Sequence, residues 1–139
     1  LELCRRFHEK PINLDFQFSS SRDIYHHFQT RLGNLKQERF IIVILDNKHR
    51  FLSETTVTVG LLNRSLVHPR EVFAEAIEQR AAAIICIHNH PSGDSIPSEE
   101  DKRITRRLQE SGELLGIPLL DHIIISKEDF NIFADEGWL

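Results

Sequence analysis

The sequence has no methionine, a single tryptophan, a single tyrosine and only two cysteines among its 139 residues. With no methionine it has no natural start, so it is expected to be a fragment or a processed piece of something longer. Two cysteines, Cys4 and Cys86, cannot make a disulfide framework, which suits a reducing cytoplasm. Long hydrophobic runs are missing too. The longest, Ala81 to Ile87, is far too short to cross a bilayer, and no basic stretch is followed by an apolar signal-peptide core. A cytoplasmic protein with no membrane partner is therefore expected. Strong charge of either sign is also lacking, since the net charge is −4. That argues against a dedicated nucleic-acid module but leaves room for one basic face.

What is present is enough for one folded domain. Hydrophobic residues make up 40% of the chain and charged residues 27%, which supports a real core and argues against disorder. No repeat, low-complexity tract or Gly/Ser linker divides it. Residues 1–20 are irregular and are expected to be a trimmed connection to a missing upstream region, with the domain occupying residues 21–139. Ser21 is placed to cap a helix with an apolar stripe of Ile24, Phe28 and Leu32, closed by Gly33. Arg39 to Leu45 and Phe51 to Val59 read as a hairpin, with Thr55, Val57 and Val59 alternating against Thr56 and Thr58. Pro69 opens a second helix with an apolar face of Val72, Phe73, Ala76 and Ile77. Ala81 to Ile87 reads as a strand covered on both faces. A third helix starts after Ser98 and runs through Ile104 and Leu108 with a weak point at Ser111-Gly112. Strands at Leu119 to Ser126 and Phe130 to Phe133 follow. The fold class is α/β, a mixed sheet flanked by helices.

The segment from His88 to Asp101 carries the chemistry. His88 and His90 lie two apart at a strand end, so they converge on one side while Asn89 faces away. Pro91 keeps His90 extended. Asp101 arrives in the first turn of the next helix and can add a carboxylate oxygen. Two imidazoles and one carboxylate leave a fourth position for water, the pattern of catalytic rather than structural zinc. Taken alone, Ser98 and Asp101 are equally well read as a capping box, and the two histidines as strand-end residues bonded to carbonyls. The combined spacing H-x-H-x(7)-S-x(2)-D is much harder to explain that way.

That spacing is the JAMM (MPN+) metalloprotease signature, and His88-Asn89-His90-Pro91-Ser92-Gly93-Asp94 resembles the RadC-like branch of that superfamily. The likeness extends over about a hundred residues, through Gln37-Glu38-Arg39-Phe40, Glu54 to Gly60, His68 to Phe73 and Asp121-His122-Ile123-Ile124. It implies a JAB/MPN (cytidine-deaminase-like) architecture and a Zn2+ ion held by His88, His90 and Asp101. It also implies Ser98 as a stabiliser of the oxyanion and an upstream glutamate acting through the water. Glu38 best matches that glutamate, and Glu54 is the alternative. The implied reaction is cleavage of a peptide or isopeptide bond in an unidentified peptide or protein. The chain departs from the pattern at Ile132, where a serine is expected.

Cys86 shares a strand face with His88 but sits in an apolar run, where a cysteine behaves as a small hydrophobe. A zinc deaminase would need H-x-E and P-C-x-x-C, and neither is present. Asp121-His122 reads as part of a structural strand, with His122 oriented by a bond to a neighbour. Lys102, Arg103, Arg106 and Arg107 form a stripe that could touch phosphates, though such stripes are more often solvated faces balanced by acids. DNA association is expected, if at all, through the missing N-terminal region. A non-catalytic scaffold is the third reading, and retention of every ligand argues against it. The sequence announces no oligomeric interface.

Overall fold

The apolar run before His88 becomes the middle strand of a sheet in the computed structural model, which describes residues 17–60 and 67–139. Most of the expected N-terminal connection, residues 1–16, lies outside the described residues, as does Cys4. In chain order the elements are α1 (Ser21–Leu32), β1 (Arg39–Leu45), β2 (Phe51–Val59), α2 (Pro69–Glu78), β3 (Ala83–Asn89), α3 (Glu99–Leu115), β4 (Leu119–Ile125) and β5 (Phe130–Ile132). The five strands lie in the order β2-β1-β3-β4-β5. Only β3 and β4 are parallel, and α3 is the crossover between them. The α/β expectation holds. Among the described residues no helix is long and apolar enough to cross a membrane.

Every residue of β3 is buried because helices cover both faces of the sheet. Alternation divides the strand between two cores. Ile85 and Ile87, with Ile41, Val43, Ile123 and Ile125, pack under Ile24, Phe28 and Leu32 of α1. Ile84 and Cys86, with Phe40, Ile42 and Ile44, pack under Val72, Phe73 and Ala76 of α2 and Ile104 and Leu108 of α3. His88 extends the second set of side chains and Asn89 the first. The strand therefore delivers polar groups to opposite faces at its carboxyl end, where open α/β sheets tend to place ligands.

Four local expectations need correction. Ser20, not Ser21, caps α1: its backbone is extended and its Oγ accepts the Asp23 N–H at 3.2 Å. Ser21 Oγ donates instead to Asp121 on β4. The alternation along β2 fails at a bulge. Phe40 pairs with Thr58 and Ile41 with Thr56, so Val57 is an extra residue and the faces exchange beyond it. Thr58 is consequently buried while Val59 is 53% exposed. Ile77 is likewise exposed rather than part of the α2 core face. Finally, Ser111-Gly112 is no weak point, because α3 runs unbroken to Leu115. Gly112 is there for close packing: a Cβ on it would lie 2.5 Å from the Ile117 carbonyl oxygen.

Candidate metal centre

The antiparallel ladder of β1 and β3 sets Phe40 opposite His88. Glu38, two residues before Phe40, comes to the same face of the sheet as His88. The first turn of α3 lies over that face and carries Asp101. The His88 Nε2 atom is 3.6 Å from Glu38 Oε2, and its Nδ1 is 3.4 Å from Asp101 Oδ1. His90 Nε2 is 3.2 Å from Asp101 Oδ2. The two imidazole rings stand edge to face with centroids 4.8 Å apart. Thus Glu38, His88, His90 and Asp101 are gathered into one spot, with His88 and Asp101 almost wholly buried.

Each group is held by local structure. His90 Nδ1 lies 2.8 Å from the Asp94 carbonyl oxygen, which has no proton to give, so Nδ1 carries the hydrogen and donates it. Nε2 is thereby left as the nitrogen that faces the site, the arrangement that a backbone carbonyl commonly fixes in metal ligands. Asp101 is held by a complete capping box. Its Oδ2 accepts the Ser98 N–H at 2.8 Å, and Ser98 Oγ accepts the Asp101 N–H at 3.0 Å. Because that hydroxyl accepts from the helix, its own proton is free to donate elsewhere, and Ser98 is exposed.

The electrostatics are those of a crowded buried cluster. Burial pulls the His88 imidazole down, but the Asp101 and Glu38 carboxylates outweigh it and hold it above its ordinary value. Burial pushes Asp101 up, and His88 and His90 override it, leaving the carboxyl well below the usual range. Both His88 nitrogens are nevertheless buried without a hydrogen bond. At 3.4 and 3.6 Å the carboxylates stand outside good hydrogen-bonding distance. A buried imidazole left in that condition calls for an explanation. An ion supplies one, since a metal-bound histidine offers one nitrogen to the metal and the other N–H to an acceptor such as a carboxylate. Ligand atoms of Glu38, His88 and His90 all lie within 4.8 Å of one another, close enough to hold a metal ion, whereas Asp101, the expected third ligand, is not in that group and meets His88 at its other nitrogen. The donor set, imidazole with carboxylate, suits a divalent first-row ion.

The other candidates fall elsewhere. Glu54 pairs with Val43 on the α1 face of the sheet, where Arg31 grips both its oxygens at 2.7 and 2.9 Å. Cys86 is buried in the core and burial pushes its thiol up, with Asp121 adding to the effect. On α3, Lys102 sits 4.6 Å over the Trp138 ring and 3.8 Å from Glu99, while Arg103 is 3.8 Å from Glu100. Half of the basic stripe is thus engaged within the protein.

Two supporting groups went unassigned in the sequence. The Asn89 carboxamide faces away from the histidines, as expected, but it reaches the chain on both sides of Glu38. Thr105 Oγ1 donates to the Asp101 carbonyl at 2.7 Å and so must accept from His122 Nδ1 at 2.6 Å. Burial, with His88 adding, pulls His122 down to about 3, so it stays neutral, stacked on Phe133. The sequence signal for this pair was the placement of Thr105 one helical turn after Asp101.

Two histidines and two carboxylates at the carboxyl end of a buried strand, under a helix N-terminus, define an α/β domain with a candidate divalent-metal centre. A family model described as the RadC-like JAB domain matches residues 18–138, and the chain belongs to that family. The chain is similar to UPF0758 proteins of Syntrophotalea carbinolica (48% identical over 138 residues, 99% of this chain and 61% of the relative) and Bacillus licheniformis (46% over 139 residues, 100% and 62%). A third relative, from Thermotoga maritima, is 42% identical over 139 residues, covering 100% of this chain and 62% of its own length. The chain therefore spans about three-fifths of the length of these relatives. The JAB superfamily includes metallohydrolases, and the names of the relatives state no activity.

Proposed function

We propose that the domain is a metal-dependent hydrolase of JAMM type that cleaves a peptide or isopeptide bond in a protein or peptide substrate. The observation that carries the proposal is His88, buried, flanked by two carboxylates and bonded to neither, beside the Nε2 of His90. His88, His90 and Asp101 would hold the ion, and zinc fits two imidazoles and a carboxylate. When bound, such an ion supplies a water of lowered pKa and polarises a carbonyl beside it.

The residues divide by exposure. Asp101 is closed in by the capping box with its side chain 2% exposed, whereas the Glu38 side chain is 23% exposed. Glu38 also lines a cleft of about 340 Å³ with Lys36, Gln37, Gly60, Pro91 and Ser92. A carboxylate facing a cleft can meet both a water and a substrate, so Glu38 Oε2 takes the water's proton and returns it to the leaving amine. Ser98 Oγ, with its proton free, donates where negative charge develops on the carbonyl oxygen.

Metal content by plasma mass spectrometry, on protein purified without chelator or added metal, tests the proposal. About one zinc per chain is expected in the wild type and in Glu38→Gln, and loss of metal in His88→Ala. Hydrolysis of a peptide library should vanish in Glu38→Gln while metal is retained. No metal as purified, and none taken up on reconstitution, would overturn the hydrolase reading and favour a binding domain.

A further inference from the structure

We infer that Asn89, the residue between the two histidines, is a positioning residue for Glu38, an inference that rests on the proposed role of Glu38. Glu38 lies just outside β1, beyond the last ladder pair of β1 and β3, Phe40 with His88. There the Asn89 side chain takes over from the ladder. Its Nδ2 donates to the Gln37 carbonyl at 2.9 Å, and its Oδ1 accepts the Arg39 N–H at 2.6 Å. From the other side the Gly60 N–H donates to the Glu38 carbonyl at 2.7 Å. The peptide groups before and after Glu38 are both held, so both of its backbone dihedrals are fixed, and with them the direction of its Cα–Cβ bond.

The chemistry of the clamp is specific. It needs a donor and an acceptor on one short planar group, and a carboxamide offers both where a carboxylate offers only acceptors. Asn89 is 1% exposed, so the pair of bonds is shielded from competing water. Strand alternation then couples the two halves of the site. The same two residues of β3 send His88 to one face and Asn89 to the other. Asn89 sets the backbone from which Glu38 reaches over to His88, so the 3.6 Å between Glu38 Oε2 and His88 Nε2 is governed by a residue that touches neither side chain.

The test uses the whole chain with Co2+ as the probe ion, comparing the wild type, Asn89→Ala, Asn89→Asp, Glu38→Gln and the Asn89→Ala/Glu38→Gln double variant. Amide exchange at Arg39 should quicken about tenfold in Asn89→Ala, as for loss of one hydrogen bond. In Asn89→Asp, which keeps the acceptor, it should stay slow. The visible spectrum of bound Co2+ should move in Asn89→Ala towards that of Glu38→Gln, with uptake unchanged. The double variant should match Glu38→Gln alone, because the asparagine acts through the glutamate. An Asn89→Ala protein with fast Arg39 exchange but the wild-type Co2+ spectrum would overturn the inference and leave Asn89 a structural residue. An additive double variant would overturn it as well. NMR relaxation of the Glu38 methylene groups, measured without metal, separates the two possible failures. If the wild type binds no Co2+ but Glu38 is ordered there and loosened in Asn89→Ala, the clamp stands and the metal centre falls. Equal order in both refutes the clamp. Should Asn89→Ala fail to fold, Asn89→Asp, which lacks the donor to Gln37, is read by the Co2+ spectrum and the Glu38 relaxation alone, and a wild-type spectrum with wild-type order there would overturn the inference.

Discussion

Asp101 and Glu38 flank the same imidazole, and an isosteric amide at each position tells which one helps to hold an ion. In Asp101→Asn the side-chain oxygen can still accept the Ser98 N–H, so the capping box survives. The metal-free cost is the negative charge in the first turn of α3, worth about 0.3–1 kcal/mol, together with its attraction to His88 and His90, and it cancels when each variant is compared with and without zinc. The metal-dependent term is read from that difference. Zinc at a hundredfold excess over its dissociation constant stabilises a folded site by about 2.7 kcal/mol. For a domain of this size each kcal/mol moves the melting temperature by about 3–5 °C, so the zinc-induced rise should be about 8–13 °C. Groups that merely support a ligand change metal affinity by about 10–100-fold when removed, so losing an anionic ligand should cost at least the upper figure. At the same zinc concentration the stabilisation then falls to about 0.4 kcal/mol, a rise of about 1–2 °C. Melting curves by differential scanning calorimetry, with and without zinc, make the comparison. The full shift is expected in Glu38→Gln and almost none in Asp101→Asn. The opposite pattern would place the ion among Glu38, His88 and His90, with Asp101 only accepting the N–H from the far side of His88. A shift lost in neither variant would refute a carboxylate ligand altogether.

Three further expectations follow from the same geometry. Glu54→Gln removes an ion pair with Arg31 that is partly exposed on both sides, so it should cost about 0.2–1 kcal/mol in denaturant titration and leave the zinc shift intact; loss of the shift would return Glu54 to the site. Burial holds the Asp121 carboxyl above its usual range, against the bonds from Ser21 Oγ and the Ala134 and His122 N–H groups. The folded chain therefore takes up this proton at a higher pH than the unfolded chain, and ionised Asp121 subtracts from stability above its folded pKa. That deficit shrinks as pH falls through the folded value towards the unfolded value of about 3.9. Asp121→Asn keeps the acceptor for both N–H groups and should match or exceed wild-type stability at pH 7, with a smaller gain on acidification. A deficit above about 1 kcal/mol at pH 7 would contradict this. Gly112→Ala drives a methyl group against the Ile117 carbonyl and should cost about 1–3 kcal/mol by thermal melting. An unchanged melt would show that the α3–β4 connection yields.

The fold was legible where one physical signal dominated. The unbroken apolar run of β3, the Pro69 start of α2 and the 3.6-residue stripe of α1 each had one reading, and the structure has them. Misreadings came where a local rule had a rival. Three serines lead into α1, two before it and one as its first residue, and the contact of Ser21 with Asp121 leaves Ser20 as the cap. The alternation in β2 is reversed by a bulge, whose extra residue is invisible until the register with β1 is known. Gly112 has the composition of a helix breaker, yet a neighbouring carbonyl gives it another reason to be there. In the site, residues close in sequence were legible through spacing. Asn89 bonds to residues 50 and 52 positions away, and no spacing rule reports such contacts.

The hardest residue to read, Asp101, was ambiguous for a physical reason. Capping the helix and serving a metal site looked like competing explanations of one carboxylate, but a carboxylate has two oxygens and about four lone-pair directions. Oδ2 takes the Ser98 N–H and still lies 3.2 Å from His90, while Oδ1 is turned towards His88. The cap fixes the side-chain rotamer before any ion arrives, so a ligand held this way loses little further freedom on binding. A good N3 capping acid is thus also a well-prepared ligand, provided that the preceding strand ends in imidazoles within its reach. Ser98-x-x-Asp101 alone therefore says only that a helix begins. It acquires chemical meaning from the loop that sets this helix start against the end of β3.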